Sequence, residues 1–580
     1  MNSAYISLRQ ALISRSTKVA LALVVIPFFC FGLLLFTYVV NVPWMDDIET
    51  FLNFMLGYTG SQTIGEKLDW LLRPNNEHRM LVGKLITLGL YKLTETVNFR
   101  WLIFAAFAFF LGIVFVLYRV FRSINLPLIA FVPVPFLMLQ PQSYLTTMWA
   151  ITGMQHEVVI ALVITALYLL ANGSRNRFAG GLGLQLLASF SMSNGLFGWV
   201  AGAVLLATQR QWGRLGIWLV VGVGAIVFYF HDFQNAQGND RSITFFLANP
   251  HLTFFGFFTF TGGLFDFFFE SDIFRRSILP TIAGMILIPV MLWLLWRMNK
   301  SLLRGGWASD APKNQEQTAL WKRRYFFTGC YTFIMVNAVI IAFLRPRFGY
   351  FVMLVSNYMI YPALLVSLLY LNVLSEQYQN RNVIRRWVTL GAGISLMVWG
   401  VWYVLRMPKV AYRKQELLTN AYNQKHNDVG LGASLGTTFA QSAQRWMDDA
   451  VAKGMYQYPA AFYTPYEQTL QEPIAGKPTN AIPLLVKEYP DVELVRTNGW
   501  RVPDGLSNAC FIVKSTERTY LFPVPTLFSP KPFFLGHSIP VLESEILKTS
   551  LYPGTYKVGI LLQPTQGPVI QYLDHTITVQ

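Results

Sequence analysis

The sequence predicts a polytopic α-helical membrane protein of about 11 transmembrane helices with a C-terminal β-sandwich domain. Three observations carry this. Of the 580 residues 53% are hydrophobic and only 13% are charged, about half the ~25% charge of a soluble domain. Apolar residues gather in runs near the ~20 needed to cross a bilayer, and the mean hydropathy is +0.40. Beyond residue 480 the pattern changes to short alternating runs. Disorder, collagen, coiled coil and a wholly soluble protein are excluded.

The net charge is +16, yet residues 408–580 hold 15 Lys+Arg and 14 Asp+Glu. The excess therefore lies between the apolar segments of 1–407, where basic residues set orientation against a membrane, and no nucleic-acid partner is implied. Cys30 and Cys330 fall inside apolar runs and only Cys510 lies in the polar tail, which leaves no disulfide framework.

The first apolar run, 19–40, follows Arg9, Arg15 and Lys18. A cleaved signal peptide has a shorter apolar core and a small-residue cleavage site, so this run reads as an uncleaved span. Further spans are expected at 101–118, 126–140, 155–171, 178–193, 195–208, 215–230, 277–296, 326–344, 351–373 and 387–406. With the N-terminus inside, inside segments hold 19 Lys+Arg and outside loops 11; segment 297–325 alone has seven basic and two acidic residues. The positive-inside rule then places the N-terminus in the cytoplasm and the tail outside. Residues 252–269 are apolar enough to span, but a span there would turn the basic 297–325 segment outward. A re-entrant or interfacial helix is expected instead.

The first outside loop, 41–100, opens with Trp44, Met45, Asp46, Asp47, Ile48 and Glu49, and later carries Glu77, His78 and Arg79. Three carboxylates this close to hydrocarbon are costly unless they face a wet cavity or bind a ligand. The alternative is a solvated loop with a helix N-cap at Asp46 or Asp47. Gln155-His156-Glu157 reads as structural, since adjacent helical residues point in different directions, and Ser191–Gly195 reads as a polar break. Arg345 and Arg347, in the segment ending at Tyr350, stand on the outside against the charge bias. Arginine forks suit phosphate, and the alternative is snorkelling to headgroups.

Together these features resemble the GT-C superfamily of membrane glycosyltransferases: a first span ending in an acidic pair, a long first outside loop with partial helices, about a dozen spans and an outside C-terminal domain. The segments SFSMSNGLFGW (189–199) and RPRFGYFVMLVSNY (345–358) look like a bacterial branch of that fold, with Asn357 standing where that branch has arginine. The resemblance covers most of 1–406. It implies a bacterial inner-membrane, multi-pass enzyme that moves a sugar from a polyprenyl-phosphate-linked donor to a glycan or lipid acceptor on the periplasmic side. Asp46 or Asp47 would be the general base, Arg345 and Arg347 would hold the departing phosphate, and Glu49, Glu77, His78, Arg79 and Tyr350 would line the substrate site. No cofactor is certain: some relatives hold a divalent cation at the acidic pair and others do not.

Residues 1–407 are thus read as the transmembrane domain, 408–479 as a linker with a short helix, and 480–580 as a periplasmic β-sandwich. Strands are expected in VELVRTNGW, CFIVKSTERTYLFPV, TYKVGILLQ and VIQYLDHTITV, with Pro, Gly, Asn and Ser between them. His537 and His575 have no nucleophile motif around them, so the tail reads as a binding or capping module. Competing readings are an O-antigen polymerase or ligase, a transporter or flippase, and a non-catalytic scaffold of polysaccharide export.

Overall fold

A computed structural model describes the chain except residues 1, 76–77, 232–241, 269, 304–313, 433, 475–481, 501–505, 507, 526, 529–536, 539–540 and 564–568, with backbone alone at 2–16, 301–303, 527–528 and 537–538. The chain divides into two compact units. One comprises Met1–Phe36, Leu71–Ile86 and Ile103–Leu405; the other comprises Thr37–Trp70, Thr87–Leu102 and Arg406–Gln580.

Among the described residues nine helices are long and apolar enough to cross a membrane, or ten if one bent pair counts as a span. The long helices are α1 (Asn2–Tyr38), α2 (Phe99–Arg122), α3 (Ala150–Ala171), α4 (Arg175–Ser189), α5 (Phe197–Thr208), α6 (Trp212–Phe230), α7 (Pro250–Thr261), α8 (Ile273–Leu303), α9 (Gln315–Leu344), α10 (Ile360–Glu376) and α11 (Arg381–Asn427). Eleven spans were expected, and the difference has a local cause. The runs at 178–193 and 195–208 form α4 and α5, of 15 and 12 residues. At 1.5 Å per residue neither crosses ~30 Å of hydrocarbon alone.

Side-chain exposure sorts these helices. α3 and the 356–376 segment are about four-fifths buried within the unit, whereas α6, α8 and α11 are less than a third buried. Val220, Val227, Ile278 and Ile286 are each more than half exposed. Apolar faces this large cannot stay in water, so the chain is read as a multi-pass membrane protein. The expected 126–140 span is a broken one: short helical pieces from Leu128 to Thr147, 78% buried, as irregular backbone at membrane depth must be.

Residue 269 lies outside the described residues, and most of the 252–269 stretch falls in α7, which bends by 99° from the short helix Ser242–Ala248. At 12 residues it covers ~18 Å, consistent with a re-entrant element. It meets α8 where both carry glycine. A Cβ on Gly284 would sit 2.0 Å from the Phe258 carbonyl oxygen, and one on Gly262 would sit 1.9 Å from that of Pro280. Asp266 closes the same turn through an ion pair with Arg276 (Oδ1–Nε, 2.8 Å).

In the second unit the tail is strand-rich. Its strands are β1 (Leu484–Glu488), β2 (Val492–Thr497), β3 (Asn508–Lys514), β4 (Thr519–Pro523), β5 (Leu527–Phe528), β6 (His537–Ser538), β7 (Glu543–Leu547), β8 (Gly554–Gln563) and β9 (Val569–Val579). They form sheets of order β1-β2-β7 and β4-β3-β8-β9, plus the pair β5-β6. Val495 and Ile546 of the first sheet share one core with Phe511, Val513, Ile560 and Ile577 of the second. The C-terminal end of α11 docks on edge strand β4. Asn423 donates to the Leu521 carbonyl (2.9 Å) and accepts from its N–H (2.8 Å), and Asn427 donates to the Thr519 carbonyl (2.7 Å). These amides replace the missing neighbouring strand and cover the edge.

Candidate functional site

The acidic turn belongs to the second unit. After α1 the chain runs extended to Trp44, and Met45 then takes φ +52°, a left-handed conformation that a side chain occupies only at a cost. Three hydrogen bonds hold it there: Asp47 N–H to the Trp44 carbonyl, Ile48 N–H to the Met45 carbonyl, and Met45 N–H to the Leu431 carbonyl, each 3.1 Å. Gly432, at φ +107°, lies so close that a Cβ would come within 2.8 Å of the Met45 nitrogen. The turn feeds a π-helix, Ile48–Asn53, an uncommon element often found at functional sites. The helix α12 (Thr438–Ala452) packs against it.

The two aspartates differ in environment. Asp47 is 1% exposed, and its Oδ2 accepts the Trp44 N–H at 3.1 Å, so its carboxylate braces the turn. It occupies the N-cap position of the π-helix without making a capping bond. Asp46 is half-buried and, among the described residues, makes no hydrogen bond or ion pair. Burial raises its carboxyl above the usual aspartate range. Two residues earlier in the turn, the Trp44 ring has the Arg413 guanidinium 3.5 Å from its centre, and Arg413 pairs with Glu416 at 2.8 Å. Glu49, half-buried, is on the first turn of the π-helix.

The basic candidates belong to the first unit. Arg345 caps α9, lies over Phe348 at 5.9 Å, and donates no side-chain hydrogen bond among the described residues. Arg347 donates to the Ser242 hydroxyl at 2.6 Å. Tyr350 follows Gly349 (φ +112°); its hydroxyl meets that of Thr259 at 2.8 Å, and its ring stacks on Phe274 at 5.2 Å. Arg79 is buried and uses its guanidinium on the carbonyls of Leu72, Tyr229 and His231, tying segment 72–79 to the end of α6. His78 pairs with Asn75 through both backbone groups (2.8 and 2.9 Å). Glu77 lies outside the described residues.

Sequence reasoning treated His156 as structural, and the structure sets it against Tyr358 and Tyr361. Its ring is 3% exposed, hydrogen-bonds Tyr361 through Nδ1 at 3.2 Å and meets Tyr358 edge-on at 5.5 Å. Asn194, from the segment read as a polar break, donates to the same Tyr361 hydroxyl. His78 and Arg345 are the ionisable neighbours of His156. An aromatic–amide–histidine cluster assembled from 194, 156, 358 and 361 has no linear signal, because its members are up to 205 residues apart. Glu157 points elsewhere: both its oxygens are buried without a hydrogen-bond partner among the described residues.

Chemically, the first unit offers a cation free to bind an anion beside a histidine and two tyrosines. The second offers a partly desolvated carboxyl free to take a proton. Among the described residues no three His, Cys, Asp or Glu side chains converge as a metal ion would require, and one carboxylate of the acidic pair is already engaged with the backbone. The described donors do not by themselves make up a cation site. The chain matches no protein-family profile, no curated protein and no solved structure.

Proposed function

We propose that the chain is a glycosyltransferase of the bacterial inner membrane that moves a sugar from a polyprenyl-phosphate-linked donor to a glycan or lipid acceptor at the periplasmic face. In this reading the N-terminus is cytoplasmic and the β-rich tail is periplasmic. The observation that carries the proposal is the division of labour in the acidic pair: Asp47 holds the turn and leaves Asp46 unengaged, desolvated and fixed.

In the proposed reaction the acceptor hydroxyl oxygen attacks the anomeric carbon and its proton passes to the Asp46 carboxylate. The bond from that carbon to the phosphate oxygen breaks, and the polyprenyl phosphate leaves with the electron pair. A base whose pKa is raised toward working pH is better matched to this transfer than an ordinary aspartate. In the membrane-helical unit, and taken by itself, Arg345 has uncommitted donors and is the group proposed to bind the phosphate of the donor. His78, His156 and Tyr358 set the electrostatics around it. Arg79 and Tyr350, both engaged with neighbours, position the segments that carry His78 and Arg345.

The test is a deletion strain, analysed for surface glycan and for polyprenyl-linked intermediates. The proposal expects a truncated or missing glycan together with accumulation of the unused lipid-linked sugar at the outer leaflet. An unchanged glycan, or intermediates retained on the cytoplasmic side as a missing flippase would leave them, contradicts it.

A further inference from the structure

Within the membrane-helical unit a second feature lies apart from the groups just described. Where the C-terminal ends of α2 and α3 meet the N-terminal turns of α9, the helices border a partly open cavity of about 590 Å³, lined among others by Ser123, Tyr168, Asn172, Thr318, Lys322 and Arg323. This volume is in the usual range for a small-molecule site. The lining is mixed: Val120, Ala319 and Phe326 supply apolar wall beside the polar groups.

Two cations face it in different states. Arg323 is 3% exposed, and its guanidinium is fixed in place: Nε donates to the Ser375 hydroxyl at 2.7 Å and Nη1 to the Ser123 carbonyl. Its Nη2 donates to nothing among the described residues. Lys322, half-buried, has no hydrogen bond or ion pair among them either. The next cation along, Arg324, is fully engaged with Glu376 at 2.9 and 2.8 Å, which removes that carboxylate as a partner for the cavity. Glu316 is the remaining acid that bears on Arg323, so the cavity lining keeps a net positive charge. A buried guanidinium held by two anchors with one edge left over is pre-organised to receive a bidentate oxyanion.

We propose that this cavity binds a phosphate group, with the free edge of Arg323 and the Lys322 ammonium as its donors and with the apolar wall receiving the carbon chain attached to it. Basic pockets between transmembrane helices on the positive side of a membrane take anionic headgroups in this way. The chemistry is shared by a phospholipid headgroup and a soluble phosphate ester. The half-apolar lining and the location at the helix ends, where Arg119, Arg122, Arg175 and Arg177 also lie, favour the lipid. The site is independent of the proposed transferase chemistry.

The experiment uses the purified full chain in phosphatidylcholine nanodiscs and measures displacement of a fluorescent phosphatidylglycerol by unlabelled phosphatidylglycerol, by phosphatidylcholine and by sn-glycerol 1-phosphate. Wild type should prefer phosphatidylglycerol to phosphatidylcholine. Lys322→Gln should weaken its binding by about 5-fold, the worth of one cation near a headgroup. Ala319→Phe, which fills the cavity, should weaken it further, and Arg381→Gln, which removes the same charge at an exposed position, should change it by less than about 2-fold. Displacement by glycerol phosphate as well as by the lipid also supports the proposal and makes the ligand a free ester. Equal losses in Lys322→Gln and Arg381→Gln, or no preference for the anionic lipid, would overturn it.

Discussion

Asp46 and Asp47 are neighbours in sequence, but only one carries a carboxyl that is free to react. Asp47 accepts a backbone N–H and is buried; Asp46 is desolvated and unengaged among the described residues. The raised Asp46 carboxyl has two consequences of opposite value. Folding tightens its proton, so its contribution to stability is present at low pH and lost as pH rises through the folded pKa. Asp46→Asn should therefore be at least as stable as wild type at neutral pH, measured as a thermal midpoint in detergent. The same shift makes the ionised base available only at higher pH, so the acidic limb of kcat/KM for transfer should lie above the ordinary aspartate range and be absent from any residual activity of Asp46→Asn. At the other candidate residue, Arg345→Ala should lower transfer by about 100-fold or more, as for loss of a preorganised charge-stabilising donor. Arg345→Lys should recover part of that loss, which a purely structural arginine would not show.

At the scale of elements, the acidic turn depends on a glycine 386 positions from Asp46 in the chain. Gly432 has a positive φ, and its Cα abuts Met45. Gly432→Ala should cost about 1–3 kcal/mol through backbone strain and displace Asp46, which urea unfolding together with a transfer assay would register. No pattern around 430 announces this, because close approach is a property of the folded pair. What sequence could supply was the periodic and compositional part: the apolar runs at α1, α2, α3 and α9, and the strands β2, β3, β4, β8 and β9. The strands β1 and β7 went unseen, since Leu484–Glu488 and Glu543–Leu547 are short and half polar. Asp46 and Arg345 could be proposed from sequence because charge is costly at a membrane surface. His156 gives no such signal, because its partners Tyr358 and Tyr361 are brought in from a distant segment.

The whole molecule ties these parts to a topology that can be checked. Arg119 and Arg122 end α2, and Arg175 and Arg177 open α4; the proposed topology, argued from the charge rule, puts these ends and the start of α11 on the cytoplasmic side. In a chain freed of Cys30, Cys330 and Cys510, an impermeant maleimide should label Glu517→Cys, in the β3–β4 hairpin, in intact spheroplasts. Gln379→Cys, between α10 and α11, should react only after permeabilisation. The reverse pattern would place the acidic turn and the tail in the cytoplasm, where a periplasmic transferase could not work.

The most direct measurement is the surface-glycan profile of the deletion strain complemented with wild type, Asp46→Asn or Asp47→Asn at matched membrane levels. Loss of a general base should reduce transfer by about 100-fold or more, so Asp46→Asn should leave the glycan defective. Asp47→Asn keeps an oxygen to accept the Trp44 N–H and should restore the glycan at least in part. Full restoration by Asp46→Asn would contradict the assignment of the base and, with it, the central claim that this turn is a catalytic site.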